Sequence, residues 1–515
     1  MKLTKHWFLI LLIILTIAVR LIPIFPDLFP FMYDHAKDAL IILQMGTKFQ
    51  PSLVGAVTSI PGVYYGPAWY YLALPLNILL NYHPLSSVLT VILLAAVGTW
   101  VAWKYLGKLE AAFWATATGI VGSQTSAWSP YLTPLVVLPI LAILLNLKKK
   151  QTINWKTLSG LSLLTSLCFH FQPAFAVVLL PIVLLILFLL KVKSSIKTWL
   201  IAVLFFIIPF APHAVFELRH DFHQSRQLVA FFTNYEDESR VVQANVMGLG
   251  RVMEIGNFVL SEAGNSVSPL NLPHYFFGLG VILWLGISGW LSHKSKTDQY
   301  ALSFEERVVL LVFLIGTWGL YLLLPAKQYY LVAIIPVWLV LIARLIKFFA
   351  SAYVKLIIVI VILLSLPQTV RSRLHFQQMA TQDAILLAPK MKAVKKVYEL
   401  SQDQPFASYQ YLPELYDYPY QFIFRYLMRR GYSQPVEYSY APGEVAHMSK
   451  VSAKITQELA NELPKQRFLI IERPTYDFIF DEWWGRVAKP LDILEKHEIN
   501  EAIDVYKAQP REEVL

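Results

Sequence analysis

Long hydrophobic runs separated by short polar turns fill the first two-thirds of the chain. They predict apolar helices at Trp7–Ile24, Ser86–Tyr105, Ala111–Trp128, Tyr131–Leu147, Thr157–Phe171, Pro173–Leu190, Thr198–Glu217, Tyr275–Leu291, Val308–Leu324, Tyr330–Lys347 and Tyr353–Leu366. That makes about eleven spans, most near the roughly 20 residues a bilayer core needs. From Gln368 onward the pattern changes, and apolar residues fall into short runs between charges. Gln382–Leu400 reads as an amphipathic helix, Phe406–Tyr409 and Arg467–Ile471 as strands, and Tyr418–Arg430 and Lys450–Leu463 as helices. The expected fold is mainly α: a polytopic membrane helix bundle over 1–367, then a small external α/β domain over 368–515. About 150 residues suffice to bury a core of their own.

One further apolar run, Pro67–Leu80, is settled by charge. Lys104/Lys108, Lys148–Lys150, Lys191/Lys193/Lys197, Lys294/Lys296 and Arg344/Lys347/Lys355 fall between spans, where positive loops face the cytoplasm. With the N-terminus also inside, a spanning Pro67–Leu80 would invert every later cluster. The run is short and rich in Trp69, Tyr70 and Tyr71, as helices lying in an interface are. Residues 26–85 and 218–273 are then external loops, and the C-terminus is external.

Composition agrees. Of 515 residues 56% are hydrophobic and 15% charged, which excludes a soluble domain and a disordered chain. The net charge of +10 lies in short loops and reads as topology, not as a nucleic-acid surface. The one cysteine, Cys168, permits no intrachain disulfide. The basic residues before Trp7 resemble a signal peptide, but no small-residue cleavage site follows, so a retained first span is expected.

Candidate chemistry begins at Tyr33-Asp34-His35-Ala36-Lys37-Asp38, just after the first span. Asp34 and Asp38, four residues apart, share one face of a short helix. They read either as a solvated cap or as a general base with a second acid, Asp38 orienting an acceptor or holding a divalent cation such as magnesium or manganese. Tyr64-Tyr65-Gly66-Pro67 with Tyr70 and Tyr71 is an interfacial aromatic belt or the wall of a sugar groove. Trp128-Ser129-Pro130-Tyr131 and His170-Phe171-Gln172-Pro173 are outer turns, the second carrying a titratable group. Arg219, Arg226 and Lys327 are positive on the outer side, against the topological bias. They either meet lipid headgroups or bind a lipid-linked phosphate. Arg20 has the same two readings. Phosphate-loop, dinucleotide and His-Glu-x-x-His motifs are absent.

These motifs, taken together, resemble the GT-C membrane glycosyltransferases. The likeness is to the bacterial family 39-like enzymes, related to protein O-mannosyltransferases and to the aminoarabinose transferases that modify lipid A. It covers about residues 1–367; the C-terminal domain matches in placement. Asp34 stands where the family has the first acid of its Asp-Glu-type loop motif, although here His35 follows and the second acid is Asp38. Gly66-Pro67 with Tyr70-Tyr71 resembles a His-Pro-Pro-Leu-Tyr-Tyr-like segment without its histidine. Ser129-Pro130 falls at the outer turn where relatives carry Asn-Pro or an acid. Lys327 and Tyr330, followed by Pro336, resemble a basic-aromatic-Pro entry to a late span, and His170 with Gln172 a Gln-x-His turn reversed.

The resemblance implies transfer of a sugar from a polyprenyl-phosphate donor, at the outer face of the cell membrane, to a glycan, lipid or protein acceptor. Phosphate is a good leaving group, so one base would suffice, and single displacement would invert the anomeric carbon. Two alternatives stand beside it: a lipid or polysaccharide transporter, and a non-catalytic scaffold. A transporter calls for inverted repeats and polar residues at mid-membrane, which the sequence does not display.

Overall fold

The structure is a computed structural model and describes residues 7–58, 60–233, 248–265, 278–285, 287, 302–414, 416–443 and 464–511. Among these, six helices are long and apolar enough to cross a membrane: Trp7–Ile24, Leu85–Tyr105, Ile196–Arg219, Phe304–Leu323, Gln328–Phe349 and Ser351–Gln382. Shorter apolar helices include Ala68–Leu79, Ser129–Leu145 and Pro173–Leu189. The result is the helical membrane architecture with a small C-terminal sheet that the pattern predicts. The Lys450–Leu463 helix lies outside the described residues, as do both ends of Tyr275–Leu291.

Three predicted elements take a different form. The Ala111–Trp128 run divides into Lys108–Thr116 and Thr118–Ser123, with Ala117 extended between them (φ −61°, ψ 127°). Thr116, Thr118, Gly119 and Gly122 are weak helix formers, so the break falls where propensity is lowest. The last long helix does not stop before Pro367 but continues from Val354 to Gln382. It ends at Asp383, whose carboxylate accepts from the Ala384 and Ile385 N–H groups at 2.6 and 3.2 Å. That bond delays the next helix to Leu387–Ser401.

The chain forms two compact units. The first comprises Met1–Leu21, Pro51–Ala73 and Val88–Thr369; the second comprises Ile22–Gln50, Leu74–Ser87 and Val370–Leu515. The first unit is an apolar bundle stitched by isolated polar contacts. The Trp114 indole donates to Ala95 O at 2.9 Å, and the Trp338 indole to Val259 O at 3.0 Å. The Thr16 and Thr99 hydroxyls pair at 2.7 Å. Glu110, 2% exposed, bonds the Lys347 ammonium at 2.6 Å and lies 3.5 Å from Arg344, which also meets Glu306 at 3.0 Å. Such bonds suit helices that lack a hydrophobic drive to associate in lipid.

Arg20 takes neither of its two expected roles, for it faces neither headgroups nor a phosphate but the inside of the bundle. It is fully buried, and its guanidinium donates to Gln124 Oε1 at 2.8 Å, Ala115 O at 2.8 Å, and Trp114 O and Thr16 O at 3.0 Å each. Trp114 and Ala115 are carbonyls that the helix break leaves without the usual partners.

The second unit holds a five-stranded sheet in the order β2-β1-β3-β5-β4. The strands are β1 Phe406–Tyr411, β2 Glu437–Ser439, β3 Gln466–Glu472, β4 Leu491–Asn500 and β5 Ile503–Pro510. β1 pairs parallel with β2 and β3; β5 pairs antiparallel with β3 and β4. β1 is buried along its whole length, as a central parallel strand should be. The Tyr33–Lys48 helix belongs to this unit and packs along Tyr418–Met428.

Replacing Arg20 by Met keeps the bulk and removes the donors. With two carbonyls and the Gln124 amide oxygen orphaned, we expect a loss on the order of 3 kcal/mol. Denaturant titration of the purified protein in micelles, followed by circular dichroism, measures it; an unchanged midpoint contradicts the clamp.

Candidate functional site

The turn at Trp128–Tyr131 and the entry at Lys327–Tyr330 meet in the first unit. Pro130 sets the 3₁₀ turn Ser129–Leu132, and a second 3₁₀ stretch, Gln328–Ile334, leads into the helix carrying Pro336. These turns bring the rings of Trp128 and Tyr329 to 5.0 Å, Trp128 and Tyr131 to 5.0 Å, and Tyr329 and Tyr330 to 4.6 Å. The Lys327 ammonium stands 6.0 Å over the Tyr329 ring, on an otherwise exposed side chain.

Beside this cluster lies a cavity of about 470 Å³, lined by Gly119, Gly122, Ser123, Tyr131, Glu262, Gln328 and Tyr329 along with Val332 and Ile335. A Cβ added at Gly122 would meet nothing within 4 Å. Glu262 is the residue the sequence reading missed. It lies on the helix Leu249–Asn265 and is 2% exposed. Ile255, Val259, Glu262 and Ala263 are all buried, at the i, i+4, i+7, i+8 spacing of one helix face. A carboxylate on that apolar stripe was the available signal. Arg251, on the same helix, donates to Tyr321 O at 3.1 Å and Leu324 O at 2.9 Å, fixing it to the end of Phe304–Leu323.

A second polar group in the first unit gathers the Tyr64–Tyr71 segment and His170. The strand-like pair 55–65 is held by Gly55 N to Tyr65 O and Tyr65 N to Ala56 O, both at 2.7 Å. Tyr64 N donates to Gln224 Oε1 at 2.9 Å, and the Tyr64 ring meets Phe216 edge-on at 5.7 Å. The Glu217 carboxylate accepts from the Gln224 and Ser225 N–H groups at 3.0 Å. Gly66 lies against His170 so closely that an added Cβ would sit 1.8 Å from Nδ1. His170 is 1% exposed, its ring 5.9 Å from that of His213. Neither ring nitrogen of His170, nor the amide nitrogen of Gln172, has a hydrogen-bond partner among the described residues. Of the predicted rings, Tyr70 and Trp69 are buried, whereas Tyr71 is partly exposed and donates to Ser52 O at 2.8 Å. Arg219 and Arg226 are exposed.

Asp34 and Asp38 belong to the second unit. Asp34 sits in the first turn of Tyr33–Lys48, where the helix macrodipole favours a negative charge; Asp38, one turn on, is buried. The helix start is bonded by a carboxylate far along the chain: Tyr33 N donates to Glu414 Oε2 at 2.8 Å. Burial pushes Glu414 above the ordinary carboxylate range, with Glu472 and Asp34 adding to the rise and Lys390 and the Tyr33 N–H opposing it. Tyr33, Tyr416 and Tyr418 gather with ring centroids 5.1–5.7 Å apart, and the Lys37 ammonium stands 5.3 Å from the Tyr33 ring. Behind them the buried pair Lys390–Glu472 is joined by the Tyr420 hydroxyl at 2.9 Å. No three His, Cys, Asp or Glu side chains among the described residues gather as a metal site. A larger groove in this unit, about 760 Å³, carries Lys392, Lys396 and Lys496. Lys396 pairs with Glu399 and Lys496 with Asp504, while Lys392 bonds Ile499 O.

Two predictions follow from these contacts. Burial pushes the His35 imidazole down to about 4. Its neutral form is also the one whose Nδ1 can accept the Met32 N–H, at 3.4 Å. With the folded value depressed below the usual 6.5 or so, the stability His35 contributes is whole above that value. It declines as pH falls and is gone near pH 4. A pH series of unfolding midpoints should show this decline, flattened in His35→Gln, which can cap without titrating. Separately, Gly66→Ala should lower stability through the clash with His170, and His170→Ala should relieve it. A double-mutant cycle is expected to return a coupling of at least about 1 kcal/mol; additive effects would deny the contact.

No protein-family model matches the sequence, and no curated protein matches it. The fold does find likenesses. The crystal structure of ArnT from Cupriavidus metallidurans bound to undecaprenyl phosphate superposes with a TM-score of 0.55, covering 98% of this chain and 97% of that one at 10% identity. The apo state of the same protein gives a TM-score of 0.53, with 98% of both chains covered and again 10% identity. The chain therefore has a GT-C-like fold, the likeness of structure covering 98% of its length.

Proposed function

We propose that this chain is an integral-membrane glycosyltransferase of the GT-C type, moving a hexose-type sugar from a polyprenyl-phosphate donor to an acceptor hydroxyl, with inversion. The observation that carries the reading is the likeness of fold over 98% of the chain to a protein whose crystal structure holds undecaprenyl phosphate. The positions of the lysine clusters support a multi-pass protein of the cell membrane, with the N-terminus cytoplasmic and the reaction on the outer face. The acceptor class stays a glycan, lipid or protein hydroxyl.

In this reading the acceptor oxygen attacks the anomeric carbon. The bond from that carbon to the phosphate oxygen breaks, and phosphate leaves with the electron pair. Asp34 takes the acceptor's proton as general base. Lys327, Arg219 and Arg226 supply positive charge for the departing phosphate, whose growing charge a fixed cation stabilises. Tyr64 and Tyr65 offer ring faces, and His170 and Gln172 polar atoms, to the donor, while Tyr70 and Tyr330, buried, would meet it only once the packing over them moves. Asp38 would be the protein's own carboxylate toward a divalent cation, and no step here depends on one.

The test is transfer by purified protein from a panel of polyprenyl-phosphate sugars, comparing wild type with Asp34→Asn. Loss of a positioned base is expected to slow transfer at least about 100-fold, with circular dichroism unchanged. Equal rates remove Asp34 from the chemistry, and no transfer by wild type from any donor overturns the reading.

A further inference from the structure

We infer that the Glu262 cavity takes the sugar ring of the donor and selects a neutral hexose against a sugar bearing a carboxylate. This deepens the reading above and rests on it. The polar residues lining the cavity are Glu262, Gln328, Tyr131 and Ser123. Its volume, about 470 Å³, lies within the range of small-molecule sites, roughly 300–1,000 Å³. Tyr329, its ring against Trp128, lines one edge. Another edge opens over Gly122, where no side chain intrudes.

The chemistry of that wall fits a polyol. An ionised carboxylate is acceptor-only, with about four lone-pair sites, so a partner already on Glu262 leaves others for sugar hydroxyls, which donate. The Gln328 amide can donate and accept, the Tyr131 hydroxyl adapts to either role, and the Ser123 hydroxyl, whose proton goes to Ile120 O at 3.0 Å, can accept. Tyr329 presents a ring face for the C–H side of a pyranose. Charge is arranged to orient the ligand: the Lys327 ammonium lies over the same Tyr329 ring that lines the cavity, so a phosphate drawn to Lys327 places its sugar toward Glu262. A uronic acid would set an acceptor-only anion against the carboxylate of Glu262, which is itself 2% exposed, and like charges at that range repel.

The experiment measures binding by full-length protein in lipid nanodiscs of three short-chain probes: farnesyl phosphate, farnesyl-phosphoglucose and farnesyl-phosphoglucuronate. Wild type is expected to bind the glucose probe at least about 10-fold more tightly than the glucuronate probe, as one carboxylate disfavours another beside it. In Glu262→Gln the two should come within about 3-fold, since an amide donates as well as accepts. Gly122→Leu, which fills the cavity and leaves Glu262 in place, should remove the advantage of the glucose probe over farnesyl phosphate while farnesyl phosphate still binds. Equal binding of both sugar probes by wild type overturns the inference and leaves the donor reading intact. Failure of wild type to bind any of the three, farnesyl phosphate included, overturns the donor reading and the inference with it.

Discussion

Arg20 donates to two main-chain carbonyls, Trp114 O and Ala115 O, that would otherwise end a helix inside an apolar bundle. In such surroundings an orphaned carbonyl has no water to turn to. A broken helix is therefore tolerated only where some other group completes its last turn. Arg20 does this and also holds Gln124, on the far side of the break, by its side-chain oxygen. The segment between, Thr118–Ser123, is a turn and a half of helix whose Gly119, Gly122 and Ser123 form one wall of the cavity. A continuous helix through 117 would put that wall elsewhere. The buried cation thus shapes the site without touching what the site would hold.

The opposite wall shows the complementary device. Leu249–Asn265 presents Ile255, Val259 and Ala263 to the bundle and carries Glu262 in on the same face. Burying a carboxylate is unfavourable unless it has partners, so its presence marks a place where packing has yielded to chemistry. Two anchors fix this helix: the Trp338 indole on Val259 O, and Arg251 on the carbonyls of Tyr321 and Leu324. Both join it to the segments on either side of Lys327. Cation, aromatic rings and acid are consequently built on connected supports, the arrangement a site needs if its groups are to keep their spacing.

What the sequence revealed follows the range of the interactions involved. Helix cores are local, and runs such as Leu85–Tyr105 and Trp155–Phe171 appear within a residue or two of their expected limits. Strands β1 and β3 were likewise visible as short apolar runs. The break at Ala117 was less legible, because hydropathy there is continuous and the deciding group, Arg20, lies about a hundred residues away. Pro367 pointed to a helix end and was overridden: a proline removes one main-chain bond, and a long helix can absorb that loss. Lys327, Tyr330 and the Trp128–Tyr131 turn were legible as separate motifs; that Trp128 and Tyr329 touch was not. Glu262 carried a readable helical period, hidden by the polar residues around it.

The acidic motif itself is the clearest case of long-range dependence. Asp34 and Asp38 are spaced by the local helix, but the start of that helix is held by Glu414, through the Tyr33 N–H. Glu414 follows β1 closely, and β1 is fixed between β2 and β3. Around the same turn Tyr416 and Tyr418 pack on Tyr33, and Phe422 meets Phe31 at 5.4 Å. The first turn of the helix is thus seated on residues nearly four hundred positions later, in the connection from β1 to the Tyr418–Met428 helix. A motif at residue 34 takes its geometry from residues that come late in the chain. The C-terminal unit is in this sense part of the support for the acidic motif, and its position at the end of the chain makes the placement of Asp34 conditional on the whole sequence.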